Sequence, residues 1–456
     1  QNATSIAAFS PSGSQIGTAR VRAVSNDGTS GYKRLYLYNV QMNSGETSRD
    51  VRSIYNSVGN KGIADVILVN GAARFTDTNY KTMIFPVGKD AIRSVETSGT
   101  DYVTRSILTG TVSNTTGEVT LTVSGSDVFP YGASATLTSD NRNDIMLIAN
   151  ATQAPYTNGE SIDLSGATVT TDGSAQQITV ALASNPAASM AITAYINVKK
   201  TDVAPSGKDL ETVYIKIDTT TNEANTTGEY SLGLPDVYSI EKVTANTSAN
   251  TYSDSQPDVT DQFVLYPNDD DSHYGVSYTK KKRGYTIGAN TRLLFKVKVF
   301  KKNTSSPFTQ SYFTVDSYPI DDANTANTAA IQTVEIPVYK QNTVDEIDLR
   351  DAIDFRPYAA NTVVYATSIG SASVSDNSII TDRDGISFGA TNLNLIAPNK
   401  TVEATYSYYL PRKDRFIINS AGNYINLEGV PTTKPVAPGE PSNSMTLASI
   451  DVPPYP

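Results

Sequence analysis

Apolar and polar positions alternate with a period of two through most of the chain. In Val119-Thr120-Leu121-Thr122-Val123-Ser124 the two kinds change places at every step. Ile178, Val180 and Leu182 alternate with Thr179, Ala181 and Ala183, and Ile192, Ala194, Ile196 and Val198 with Thr193, Tyr195, Asn197 and Lys199. Val213, Ile215 and Ile217, then Phe295, Val297 and Val299, repeat the pattern. A strand turns successive side chains to opposite faces, so each run buries one face and wets the other, as antiparallel sheets do. Asp27-Gly28, Asn70-Gly71, Asn158-Gly159, Asp172-Gly173 and Asp384-Gly385 punctuate the runs. Asn or Asp before Gly tolerates the positive φ angles of tight turns, which predicts hairpins. The fold expected is all-β: several antiparallel sheets or β-sandwiches with little helix.

Helical patterns are scarce. Thr343-Val344-Asp345-Glu346 reads as a capping box opening a short helix through about Ala352, ended by Arg356-Pro357. Asp321–Ala330 reads as one helical turn or a loop.

The chain divides into blocks. Residues 1–95 form an N-terminal β domain with Tyr-rich edges such as Leu35-Tyr36-Leu37-Tyr38, continuing with 206–335. Residues 96–205, dense in Thr, Ser and Gly, read as an inserted immunoglobulin-like sandwich. Residues 336–456 form a C-terminal β domain whose stretch Pro431–Pro441 is extended and semi-rigid. Asn114-Thr115-Thr116-Gly117-Glu118 recurs at Asn225–Glu229, which reads as a reused hairpin turn rather than a duplication.

Composition narrows the chemistry. The 456 residues suffice for about three domains. Only 18% are charged, with Ser, Thr and Asn in their place, and Tyr outnumbers Phe by 27 to 12. A net charge of −10 gives no cationic surface for phosphate backbones or anionic lipid, so neither nucleic acid nor membrane is an expected partner. No apolar run reaches the roughly 18 residues of a transmembrane helix. With no Cys, disulfides, thiolate metal sites and cysteine nucleophiles are excluded, and assembly in a reducing cytoplasm is expected. The start at Gln1-Asn2-Ala3-Thr4 lacks a signal-peptide pattern and suggests an ordered fragment of a longer chain.

His273, the only histidine, lies in Asp269-Asp270-Asp271-Ser272-His273-Tyr274, a polar segment where a solvated side chain is expected. The three aspartates lack the alternating order of a calcium loop. Lys280-Lys281-Lys282-Arg283 reads either as offsetting that acidity or as a solvated strand end. Phosphate loops, nucleophile elbows and zinc helices are absent from the sequence. No catalytic, cofactor-binding or metal-binding residue is assigned, and no cofactor. The sequons at Asn2, Asn114, Asn150, Asn225, Asn246, Asn303 and Asn399 follow from an Asn- and Thr-rich composition.

Three C-terminal stretches carry a resemblance. They are Ile347–Pro357, Tyr408–Arg415 with Gly422-Asn423 and Glu428–Pro431, and Ser444–Ala448 leading to Val452-Pro453-Pro454-Tyr455. Together with Gly17–Arg22 and the polar loop Asp261–Tyr274, they resemble virion structural proteins of large contractile-tailed bacteriophages, notably cyanobacterial and marine ones. The resemblance implies a place in a tail fibre, fibre connector or baseplate periphery, assembled in the host cytoplasm. The partners it implies are other virion proteins, further copies of the chain (a trimer as first expectation) and host surface glycan, with no catalytic residue. Competing readings are a polysaccharide-degrading tailspike and a bacterial surface adhesin. On the residues themselves, Arg350 and Arg356 are placed to clamp carboxylates or backbone carbonyls at a fold corner, with Arg412–Arg415 at an exposed turn.

Overall fold

A computed structural model describes residues 17–26, 33–42, 68–69, 72–73, 83–88, 90–219, 228–247, 252–288, 290–303, 312–340, 346–359, 395–397 and 400–454. It is all-β, built from antiparallel sheets; the α-helix among the described residues is a single turn at Ser139–Arg142. Near the N-terminus β1 (Gly17–Asn26) pairs with β2 (Lys33–Met42), and β3 (Leu68–Val69) with β4 (Ala72–Ala73). The Asp27-Gly28, Asn70-Gly71 and Asp384-Gly385 turns lie outside the described residues. Next comes β5 (Ile84–Pro86).

The alternating runs build a two-sheet sandwich. Its strands are β6 (Ile92–Val112), β7 (Glu118–Thr122), β8 (Met146–Ala149), β9 (Thr168–Thr171), β10 (Gln177–Ala181) and β11 (Met190–Lys200). One sheet carries the order β6-β11-β8, the other β7-β10-β9. Val119 and Leu121, Ile178 and Val180, and Ile192, Ala194 and Ile196 point into the shared core. The intervening Thr120 and Thr179 meet on the outer face, hydroxyl to hydroxyl. If β7 to β11 stand for strands B to F, the B-E-D sheet and the C-F pair of an immunoglobulin-type sandwich are present. The first strand, β6, takes the edge beside F that strand G holds in that fold. Gly110 lets the sheets close, because a Cβ there would come within 2.6 Å of Val119 Cγ2.

A second sandwich follows, from β12 (Lys208–Asp218), β13 (Glu229–Pro235), β14 (Val237–Asn246), β15 (Phe263–Tyr266), β16 (Val276–Lys281) and β17 (Arg292–Lys302). The sheets β12-β17-β14 and β13-β16-β15 enclose Val213, Ile215, Ile217, Leu232, Phe295 and Val297. Leu210 and Phe300 lie on the opposite face of β12 and β17, where they join a third core with Ile84, Ile92, Tyr102, Tyr312, Leu349 and Ile353. Residues far apart in sequence thus close one core.

The C-terminal third corrects the expected helix. Residues 341–345, most of the capping box, lie outside the described residues. Beyond them the chain runs as β19 (Glu346–Asp348), a 3₁₀ turn at Leu349–Asp351 and β20 (Ala352–Asp354); β19 pairs with β18 (Val338–Lys340), and β20 with β5. The physical reason is the period: Ile347, Leu349, Ile353 and Phe355 sit at odd positions, which suits strands better than a helical face. Asp348 caps the turn by accepting the Arg350 N–H at 3.0 Å. Asp321–Ala330 is a loop, tied by Thr325 donating to Asp321. Two strands, β21 (Leu395–Ile396) and β22 (Val402–Tyr408), add to β6. The last sheet has the order β24 (Tyr424–Leu427), β23 (Arg412–Asn419), β25 (Ser444–Val452). Arg412–Arg415 therefore lie in a strand rather than an exposed turn. Asp414 is buried there, accepting the Gly429 N–H and the Arg412 guanidinium.

Candidate functional site

Five charged side chains from four separate parts of the chain meet where the second sandwich joins the third core. Lys208 opens β12 on the same face as Leu210, so the strand carries its side chain to the rim of the aromatic core. Its ammonium donates to Asp236 Oδ2 (2.8 Å), Tyr274 Oη (3.0 Å) and Tyr318 Oη (3.3 Å), which satisfies all three protons. The rings of Tyr274, Phe313 and Tyr318 surround it, with centroids 4.4, 4.5 and 4.7 Å away. Burial alone lowers a lysine, but Asp236, with Tyr318 and Asp354, holds the Lys208 ammonium above its ordinary value.

Asp236 occupies the junction between β13 and β14 at φ +54°, a left-handed conformation that aspartate tolerates better than most residues. It accepts a second hydrogen bond from Tyr358 Oη at 2.5 Å.

Arg356 is the second cation, only 1% exposed. Its Nε lies 3.1 Å from both oxygens of Asp354 and its Nη2 donates to Oδ2 at 2.8 Å, while Nη1 donates to the Asp270 carbonyl at 3.2 Å. The guanidinium lies over the rings of Tyr274 (4.0 Å) and Tyr339 (4.6 Å). Although burial opposes it, Asp354 holds the Arg356 guanidinium well above its ordinary range. Tyr274 joins the two cations: its hydroxyl accepts from Lys208 and donates to Asp354 Oδ2 at 2.6 Å. Burial, then the Asp354 charge, raises that hydroxyl well above its usual range, so it remains a donor.

Asp269, Asp270 and Asp271 do not converge on a common point. Asp269 faces Arg356 Nη1 at 3.8 Å, Asp270 accepts from Ser272, and Asp271 Oδ1 accepts from Tyr339 Oη at 2.5 Å. Among the described residues no three potential metal-ligating groups come together. The Asp269 side chain keeps 18% exposure, yet its Oδ1 is sealed from solvent with no hydrogen-bond partner. Burial pushes its carboxyl up to about 7 against the opposing pull of Arg356.

His273 corrects the solvated placement: it is buried, with 8% of its surface exposed, and Nδ1 lies 3.1 Å from Ser272 Oγ. The loop is drawn in because its backbone is used. Tyr274 N–H donates to the Pro357 carbonyl, Ala359 N–H to the Tyr274 carbonyl, and Met83 N–H to the Asp271 carbonyl. Lys280 and Lys281 end β16, and Lys280 pairs with Glu229 at 2.7 Å, in keeping with a strand-end role.

Chemically, the arrangement is a lock. Every donor of Lys208 is engaged, the side-on edge of Arg356 is filled by Asp354, and the tyrosines between them are held protonated. Arg356 was legible as a clamp from its motif. Lys208, Asp236 and Tyr274 were not, since no local pattern marks a lysine, an aspartate and a tyrosine that meet only in the folded chain.

A family model described as a domain of unknown function (DUF4815) matches residues 357–456, beginning one residue after Arg356. No match was found among curated proteins or among solved structures.

Proposed function

We propose that this chain is a structural component of a bacteriophage virion, a tail fibre, fibre connector or baseplate-associated protein acting in assembly and host contact. The observation that carries the reading is where the charges of the Ile347–Pro357 motif go. Asp354 and Arg356 bond each other inside the fold and Arg356 also donates to the Asp270 carbonyl, while Arg350 bonds Asp348 beside them. The residues behind the resemblance thus hold strands together rather than face a ligand, as load transmission through a rigid body requires. Surface chemistry supports the contact role. On the outer side of the second sandwich Tyr266 and Tyr278 stack at 5.2 Å with Lys280 over both rings, an aromatic surface of the kind sugar rings pack against.

The test is location. Particles of the virus encoding the chain are purified on a gradient and labelled with antibody to residues 90–219. Tail-localised label is the expected result. Particles lacking the chain, with the chain found free in the lysate, would overturn the proposal.

A further inference from the structure

Arg105 and Arg356 are both buried, at 6% and 1% exposure, but only one of them has its charge met. The Nε–Nη2 edge of Arg356 is filled by the Asp354 carboxylate. On Arg105 neither Nε nor Nη2 has a hydrogen-bond partner, and both are sealed from solvent. Orphaned donors of this kind are rare in folded proteins, because a buried N–H without an acceptor loses its hydration and gains nothing in return.

The place of Arg105 follows from the sheet. Ile196 and Val198 point into the core of the first sandwich, so Asn197 and its register partner Arg105 stand on the outer face. From β6 the guanidinium crosses β11 towards the start of β8, where Nη1 donates to the Asp144 carbonyl and, at 3.4 Å, to Asn197 Oδ1. The nearest carboxylate does not pair with it: Asp144 Oδ2 turns to Lys400 at 2.8 Å. Tyr131 Oη is a third sealed group without a hydrogen-bond partner, since the nearby Asn197 main chain does not reach bonding geometry. Tyr131 and Arg105 are close enough for each to alter the other's protonation. Burial lowers the Arg105 guanidinium below its ordinary value, against the pull of Tyr131 and Asp144, whereas Asp354 holds that of Arg356 above its own.

We infer that the unpaired edge of Arg105 is a binding site for a carboxylate monoanion, with the Tyr131 hydroxyl as a further donor. Nε and Nη2 offer two parallel N–H groups, which a carboxylate takes with its two oxygens. One uncompensated cation calls for one negative charge. Inorganic phosphate carries about −1.5 to −2 at neutral pH and would leave an excess buried there. The rim is the Lys400–Asp144 pair, whose side chains are 33% and 23% exposed, and the Lys400 cation draws an anion to it. Because the Arg105 edge is sealed, binding is coupled to local opening at this rim. A small organic acid and the uronate unit of a polysaccharide bring the same group. The inference does not depend on the assembly role proposed above.

Fluorine NMR of trifluoroacetate added to the full chain tests this. Its resonance is expected to broaden saturably, and acetate to reverse the broadening by competition. Galactose should have no effect, and phosphate should compete less well than acetate. Galacturonate competing at a concentration ~10-fold below that of acetate identifies a sugar-borne carboxylate, and similar potency identifies a free acid. Arg105→Lys keeps the charge without the fork and is expected to weaken binding at least ~10-fold. Tyr131→Phe removes only the hydroxyl and is expected to weaken it about 3- to 10-fold. Circular dichroism establishes that each variant is folded. A wild type that never broadens the resonance saturably overturns the site, as does broadening undiminished in the folded variants. Phosphate outcompeting acetate overturns the monoanion assignment.

Discussion

The guanidinium of Arg356 grips the carboxylate of Asp354, two residues before it, through Nε and Nη2, and both side chains are buried. So close in sequence, the pair costs little loop entropy to form, but it is sealed only when β12, the 269–274 loop and the Phe313 segment close over it. Phe313 and Asp354 exchange backbone hydrogen bonds at 2.7 and 2.9 Å, which fixes one wall. The pair is thus a local contact that reports on global closure.

Removing one member leaves the other charged and buried. Arg356→Met is expected to destabilise the protein by about 3–5 kcal/mol. Arg356→Lys keeps the charge but loses the planar fork, so it should recover part of that loss and no more. Urea unfolding of the three proteins measures this; a lysine variant as stable as wild type would show that the fork geometry is irrelevant.

Lys208 and Asp236 should behave as a coupled pair. Lys208→Met leaves Asp236 with only the Tyr358 hydroxyl, and Asp236→Asn removes the charge while retaining a residue that accepts φ +54°. The double variant is expected to be more stable than the sum of the single losses, by about 0.5–3 kcal/mol. Strict additivity in a double-mutant cycle would mean that the 2.8 Å contact contributes nothing specific.

How much of this was legible follows from where each signal is stored. Ile178, Val180 and Leu182, or Val213, Ile215 and Ile217, state their strand in neighbouring residues, so the all-β reading needed no tertiary information. His273 could not be placed that way. Its surroundings read as polar, and it is buried because Tyr274 exchanges backbone hydrogen bonds with Pro357 and Ala359, some 80 residues downstream. Local pattern also misled at 346–352, where the expected helix gives way to strands set by the odd-numbered apolar positions Ile347, Leu349 and Ile353. The Lys208–Asp236–Tyr274 contacts leave no trace in sequence, because alternation reports which face is buried and not which polar residue shares it.

Asp269 predicts a pH dependence. Its folded carboxyl is raised to about 7, above the ordinary aspartate value that the unfolded chain retains. Between the two values the folded state holds a proton that the unfolded state has lost. The stability from this group is therefore fully present below about pH 4 and disappears as pH rises through about 7. Asp269→Asn removes that titration. The variant should gain on wild type progressively between about pH 4 and 7, with a constant advantage above. Melting temperatures of both proteins from about pH 4.5 to 8.5 test this; parallel curves would rule out Asp269 as the titrating group.

The last prediction concerns the backbone that carries this loop. Gly275 is required for space: a Cβ there would lie 1.9 Å from the Asn268 carbonyl oxygen, and main chain cannot yield as a flexible side-chain tip can. Asn268 is itself pinned, standing at φ +62° with its amide donating to the Val276 carbonyl at 3.2 Å. Gly275→Ala must push apart the two ends of the loop that delivers Asp269, Asp270 and Tyr274 to the cations. It is expected to cost about 1–3 kcal/mol or more. Gly439→Ala, with nothing within 4 Å of the added carbon, should stay within about 0.5 kcal/mol of wild type. If the loop is a separable surface feature, Gly275→Ala will speed proteolysis at 267–275 without lowering the global melting temperature. If it is the keystone described here, the melting temperature falls with it, and the Arg356→Met background adds less than its full cost, because both changes disrupt the same contacts.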